Sequence, residues 1–329
     1  MLWGRLFGSA RRAAVSLGLI AIAVRAAVVL TAFGSGFTFR DEHDFFSEAG
    51  LMAAGRWLGS NTSLPPGEVY FLAAGLALGL DATGLRLVQA LLGGLAVAMT
   101  VRLSSRLFGL RTGIAAGAGL ALYPYLVYLT GIFSTQNQVI LLLLVLVYAL
   151  YRRQDGGGRR WVLGGGLALA AAGCFMVPVF FTAPFLAAWH ALRMRPLRRG
   201  ILDASLLAVL VLAILVPITY RNFEIDRRLM FVAAVDGRIL CTHGPGEHTS
   251  AASGIAHGVE EGILRARTMW LGPGLGLEDP SASAMGWVAA GLVSGPVLLF
   301  AILGAVLFLR RFPLLFPFYA LPVVLTLVF

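Results

Sequence analysis

Residues 37–48 read FTFRDEHDFFSE and bring together Arg40, Asp41, Glu42, His43, Asp44 and Glu48. On a helix starting near residue 41, Asp41, Asp44 and Glu48 fall at i, i+3 and i+7, which is one face. Phe46, Ala49, Ala53 and Trp57 form another face, suited to lying on a membrane. Carboxylates crowded in this way shift one another's pKa and can serve as a general base or hold a divalent cation. The competing reading is a capping cluster, because acids in the first turn of any helix complement its dipole. Farther on, HGPGEH at 243–248 adds His243, Glu247 and His248. With His43 and the acids they could form a metal site, since imidazole and carboxylate suit Zn or Mn. Their spacing follows no ligand motif, so solvated loop histidines are the alternative and the metal stays unassigned. GPGLG at 272–276 follows no strand and opens no helix, which makes it a weak phosphate cradle.

The elements that carry these residues belong in a membrane. The chain is 58% hydrophobic and 13% charged over 329 residues, with a mean hydropathy of +0.83. Several apolar runs are long enough for about 30 Å of hydrocarbon, and only helices or closed barrels satisfy backbone groups there. The fold class is an all-α polytopic membrane protein. The net charge of +10 comes from 26 basic residues, all of them arginine. Most stand in short loops at Arg5, Arg11 and Arg12, at 102–111, 152–160 and 193–200, and at Arg310 and Arg311. That pattern is the positive-inside signature of a bacterial inner membrane. It argues against nucleic acid as a partner, since no basic helix with interleaved aromatics stands outside the membrane.

Apolar runs predict about nine spans, near 13–33, 85–105, 112–131, 135–151, 161–177, 178–192, 201–219, 286–309 and 312–329. The run 67–80 is also apolar but, at about 14 residues, short for a crossing. If it crossed, the arginines at 102–111 would face the side of the acids at 41–48. As a half-helix in the outer interface it leaves every arginine-rich loop in the cytoplasm and two large loops, 34–84 and 220–285, in the periplasm. Of 16 acids, all but Asp155 and Asp203 fall in those loops, as do four of five histidines, His190 being the exception. Arg25, near the middle of the first span, is costly there; pairing with a neighbouring helix is the preferred explanation over a functional role.

Three regions follow. Residues 1–219 hold the main transmembrane module with the first loop, 220–285 the second loop, and 286–329 the C-terminal spans. In the second loop, LMFVAAVDGRILCT alternates around Asp236-Gly237, a hairpin signal. GIAHGVEEGILRARTMW has the spacing of an amphipathic, interfacial helix.

The first loop, RDEHDFFSEAGLMAAGRW followed by SLPPGEVYFLAAG, resembles that of GT-C fold glycosyltransferases. The groups it is most similar to are bacterial relatives of dolichyl-phosphate-mannose protein mannosyltransferases and of the lipid A aminoarabinose transferase. The matching residues are Asp41-Glu42, Ala49, Met52, Gly55, Trp57 and Pro65-Pro66. GLRLVQALLGG, RLFG, ALYPYLVYLTG and LVPITYRN then follow in family order, over about the first 225 residues.

This resemblance implies a GT-C-like bundle whose periplasmic loops carry juxtamembrane helices. It also implies transfer of a sugar from a polyprenyl-phosphate donor to an envelope acceptor at the periplasmic face, with inversion. Asp41 matches the catalytic base and Glu42 the supporting acid. The leaving phosphate calls for cations; Arg221 matches the family's Arg-Asn, and Arg40, Arg56 and Arg86 are further outer-side candidates. Asp44, Gln136 and His243 complete the candidate substrate-binding set. A divalent metal remains an option beside the lipid-linked donor. Three departures from the family pattern stand out: Leu64 where a basic residue often precedes Pro-Pro, Phe45 where a Tyr is usual, and Gln136 nearest the place of a second acid. They keep open a non-catalytic assembly subunit as the alternative, with a lipid-linked sugar transporter as the other. A transporter usually holds charges at the bilayer midplane, where here Arg25 stands alone.

Overall fold

The computed structural model describes residues 7–37, 40–56, 59 and 61–227; the hairpin, the amphipathic helix of the second loop and the last two expected spans lie outside them. The described residues form ten helices and no strand. Helix α1, Ala10–Val28, is capped by Ser9, whose hydroxyl accepts the Arg12 N–H at 3.3 Å, and runs on through a wider π-type turn, Val29–Phe33. Helices α2, Arg40–Ala53, and α3, Pro66–Ala77, come from the first loop. Helix α4, Ala82–Phe108, starts at Asp81, which accepts the Gly84 N–H at 2.8 Å. Then follow α5, Leu110–Leu122; α6, Pro124–Leu129; α7, Gln136–Gln154; α8, Arg160–Phe175; α9, Pro178–Arg193; and α10, Leu197–Asp226.

Three of these elements are long and apolar enough to cross a bilayer: α1 with its π turn, α4 and α10. Helices α5 and α8 are apolar but shorter. The run 112–131, expected as one span, is two helices. Pro124 has no N–H for the Leu120 carbonyl four residues earlier, so the helix breaks there. Arg25 supplies the missing donors: Nη2 gives a hydrogen bond to the Leu120 carbonyl and Nη1 to that of Ala121, each at 3.0 Å. The intramembrane arginine is therefore a cap on a broken helix, where cations suit the negative dipole end.

Helix α4 packs on α1, α5 and α7; α8 packs on α7 and α10; α9 lies against α10. Small residues set these distances. A Cβ on Gly94 of α4 would stand 2.8 Å from the Gly18 carbonyl oxygen of α1, so the two backbones touch. Helix α3 reaches α8 in the same way, since a Cβ on Gly67 would stand 2.7 Å from the Phe175 nitrogen.

The bundle has two chemically different ends. At one, Arg106 pairs with Asp155, Arg153 grips Asp203 through Nε and Nη2 at 2.7 and 3.2 Å, and His190 Nε2 lies 3.4 Å from the same carboxylate. The loops after α4, α7 and α9 thus meet there. So do the acids and the histidine that the charge pattern left over, and all three sit among arginines. Gly34, Gly36 and Glu42 gather at the opposite end, because Arg86 in the first turns of α4 bonds directly to all three. Helix α3, 12 residues long, lies between α2 and α4 in the chain and packs on α2.

Candidate active site

Arg86 and Glu42 organise the loop end. As α1 terminates, the carbonyls of Gly34 and Gly36 turn toward α4 and accept from Arg86 Nη1 and Nη2 at 2.7 and 2.6 Å. Nη2 also reaches Glu42 Oε1 at 3.2 Å, with side-chain exposures of 0% and 2%. The guanidinium sits among the rings of Phe33, Phe37 and Phe133, 5.9, 5.9 and 5.0 Å from their centroids. Glu42 Oε1 additionally accepts the Phe133 N–H at 3.0 Å. A buried pair of this kind holds its geometry firmly, because removing one partner leaves an uncompensated charge.

This anchor settles the orientation of α2. Glu42, Phe45, Ala49 and Met52 form its buried stripe, and the last three pack on Val69, Leu72, Ala73 and Leu85. The face expected to rest on the membrane is in part this packing face: Ala49 is fully buried, and Phe46 stacks on Phe133 with centroids 5.8 Å apart. Asp41 is exposed beside the buried Glu42, and Asp44 is partly exposed, 4.0 Å from His43 Nδ1. Arg40 is the first residue of α2, and Arg56 is exposed after its end.

Glu48 departs from the expected line of surface carboxylates. Gly59 and Asn61 lie against it, and its Oε1 accepts the Asn61 N–H at 2.8 Å. From α10, Arg221 Nη2 donates to the Asn61 carbonyl at 3.4 Å and Nη1 to Asn222 Oδ1 at 3.1 Å. Thr62 donates its hydroxyl hydrogen to Asp226. Gly59, at φ +66°, lies between Glu48 and Arg221; a Cβ there would collide with the carboxylate and stand 3.0 Å from Arg221 Nη2. Arg221, only 4% exposed, ties the end of α10 to the first loop.

One titratable residue at this end escaped the sequence reading. Glu68, in the first turn of α3, is completely buried, and that burial pushes its carboxyl up to about 8. The Gln89 amide lies beside it. With its NH2 donating to Glu68 at 3.5 Å, the amide oxygen would face two carbonyl oxygens. Turned over, the NH2 donates to the carbonyls of Thr130 and Ile132 at 3.1 and 2.9 Å. Two shorter bonds outweigh one long one, so the second orientation holds. The sequence signal for Glu68 was an acid in an otherwise apolar half-helix, which a dipole cap explains equally well.

Of the residues named from the sequence, the structure joins Glu42 to Arg86 and brings Arg221 to the same end as Asp41 and Asp44. Gln136 opens α7 just past the Phe133 turn, its Oε1 buried and, among the described residues, without a partner. His243 lies outside the described residues. Among those described, no three His, Cys, Asp or Glu side chains gather as metal ligands. An apolar cleft of about 560 Å³ runs between α1 and the α5–α6 break, lined by Val24, Val28, Phe33, Pro124, Val127 and Tyr128 among others. Phe33, on its wall, also carries Arg86.

The fold and site define a membrane-embedded helical bundle with a polar site at one end. Residues 63–220 match the family described as dolichyl-phosphate-mannose-protein mannosyltransferase, which supports a GT-C type glycosyltransferase. The match takes in Glu68, Arg86 and Gln136; Asp41 and Glu42 precede it and Arg221 follows it. No curated protein matches the chain. The family activity is glycosyl transfer in a membrane, between a lipid-linked sugar donor and an acceptor.

Proposed function

We propose that this protein transfers a sugar from a polyprenyl-phosphate donor to an envelope acceptor (a lipid, a glycan or a protein) at the periplasmic face of a bacterial inner membrane, inverting the anomeric centre. The observation that carries the proposal is the pairing of neighbours on α2. Glu42 is locked by Arg86 and the Phe133 N–H, while Asp41 beside it is exposed at the same end. That end lies opposite the arginine-rich loops, which belong in the cytoplasm.

Asp41 takes the proton of the acceptor hydroxyl as its oxygen attacks the anomeric carbon. The bond from that carbon to the phosphate oxygen breaks, and the polyprenyl phosphate leaves with the electron pair. Glu42 positions Asp41 rather than reacting. Arg86 is committed to Glu42 and two carbonyls, so the cations we assign to the leaving phosphate are Arg221 and the exposed Arg56. The apolar cleft ending at Phe33 offers the isoprenoid chain a bed.

Asp41→Asn tests this directly. The amide keeps shape and volume but cannot accept the proton, so turnover with a polyprenyl-phosphate sugar should fall on the order of 10²–10⁴-fold at normal expression. Asp44→Asn, one turn along, should do less. Unchanged envelope glycans in both variants, with altered glycans on deletion of the whole chain, would instead favour the non-catalytic subunit, a reading that Gln136 in place of an acid keeps in view.

A further inference from the structure

We infer that Glu68 works as a neutral carboxylic acid that, through Gln89, positions the 130–133 turn and with it the carboxylate of Glu42. The geometry is a relay across four segments. Glu68 Oε1 faces the Gln89 side-chain oxygen once the Gln89 NH2 is turned to the Thr130 and Ile132 carbonyls. At about 3.5 Å the two oxygens repel as bare acceptors and attract when the carboxyl carries a hydrogen, so the neutral acid is the form that suits this neighbour. The next residue of the same turn, Phe133, gives its N–H to Glu42 Oε1. Glu42 in turn holds Arg86. Glu68 therefore stands behind the anchor of α2 without touching it.

The neighbours favour the neutral form. Helix α2 carries the buried Glu42 and Glu48, with Asp41 and His43 exposed and Asp44 partly exposed beside them. Helix α4 brings Gln89 and Arg86, the latter already paired with Glu42, with Asp81 exposed at its start. From α8, the atoms nearest Gly67, beside Glu68 in α3, belong to Cys174 and Phe175. Among the described residues no cation pairs with Glu68, and its Oε2 has no hydrogen-bond partner. An orphaned oxygen is far less costly on a neutral acid than on a carboxylate. Burial raises the carboxyl from 4.5 to about 8, in the same direction. With α3 taken as a half-helix in the outer interface, protons reach this end from water.

The catalytic consequence rests on the glycosyltransferase reading; the structural one does not. The experiment uses the full chain in detergent, as wild type, Glu68→Gln and Glu68→Leu, and reads three quantities. They are unfolding midpoint against pH, amide exchange of residues 130–135, and transfer from a polyprenyl-phosphate sugar against pH. A folded-state pKa above the unfolded one means that stability is full below pH 4.5 and is lost as pH rises toward 8. Wild type should thus lose on the order of 10³ in its folding equilibrium across that window. Glu68→Gln, which cannot ionise, should be flat there, keep the protection of 130–135 and keep transfer without the alkaline fall. Glu68→Leu should lose protection of 130–135 and lower kcat with KM nearly unchanged. If it does not fold, the Gln variant decides alone. A Gln variant with the same pH slope as wild type, or one that loses the protected turn, overturns the inference. Absence of transfer in wild type would sink the glycosyltransferase reading, and the stability and exchange arms would still decide the role of Glu68.

Discussion

Separating Arg86 from Glu42 is the most demanding check on how the site is built. Their charged atoms are 3.2 Å apart with essentially no side-chain exposure. At an effective dielectric near 20, Coulomb's law gives about 5 kcal/mol for that separation, and the desolvation of both ions offsets much of it. What remains visible is the asymmetry of the single changes. Arg86→Leu leaves Glu42 buried with the Phe133 N–H, and leaves the Gly34 and Gly36 carbonyls without their donors. The expected loss is about 3–5 kcal/mol. Glu42→Gln keeps an acceptor for Arg86 and should cost less, about 1.5–3 kcal/mol. The double change Arg86→Leu/Glu42→Gln removes the stranded carboxylate and should be milder than the sum of the two, by about 1–3 kcal/mol. A double-mutant cycle of denaturant unfolding in detergent, at one fixed pH, measures this. Additivity within about 0.5 kcal/mol would refute the coupling, and with it the claim that Arg86 anchors α2 and places Asp41.

Arg221→Ala should weaken use of a polyprenyl-phosphate donor by about 1.5–3 kcal/mol in kcat/KM, the scale of a charge-assisted hydrogen bond. Arg221→Lys should restore only part of it, lacking the planar fork; unchanged donor dependence in the Ala variant removes Arg221 from the site. A reporter fused at Arg199 should score cytoplasmic and one at Asn61 periplasmic, and a Cys placed at Arg106 should resist impermeant reagents added outside. Ready labelling at 106 would mean that the arginine end faces outward.

Much of the bundle was legible because hydropathy and punctuation are local. The run 13–33 falls in the helix 10–33, 85–105 lies within α4, and 135–151 is α7 from its capping residue Thr135 onward. Pro178 opens α9, and Asp81 caps α4 at the place a cap belongs. The half-helix at 67–80 was separable from a crossing by charge alone, since arginine placement reports the side of the membrane. Loop end and arginine end were thereby distinguishable before any coordinate.

Which charges are buried was decided only by the tertiary structure. Asp41 and Glu42 are neighbours of the same type, yet one is exposed and the other sealed. The difference is made by Arg86, 44 residues on, and by a Phe133 amide 91 residues on. Glu48 reads as a surface acid until Gly59, Asn61 and Arg221 close over it. Glu68 drew no notice in the sequence, yet it is fully buried, with Gln89 of α4 beside it. Arg25 reads as an expensive intramembrane charge until Pro124 frees carbonyls beside it. A residue's helix follows from its sequence neighbours, whereas the solvation of its charge depends on which distant backbone donors and acceptors arrive, and that is a property of the assembled bundle.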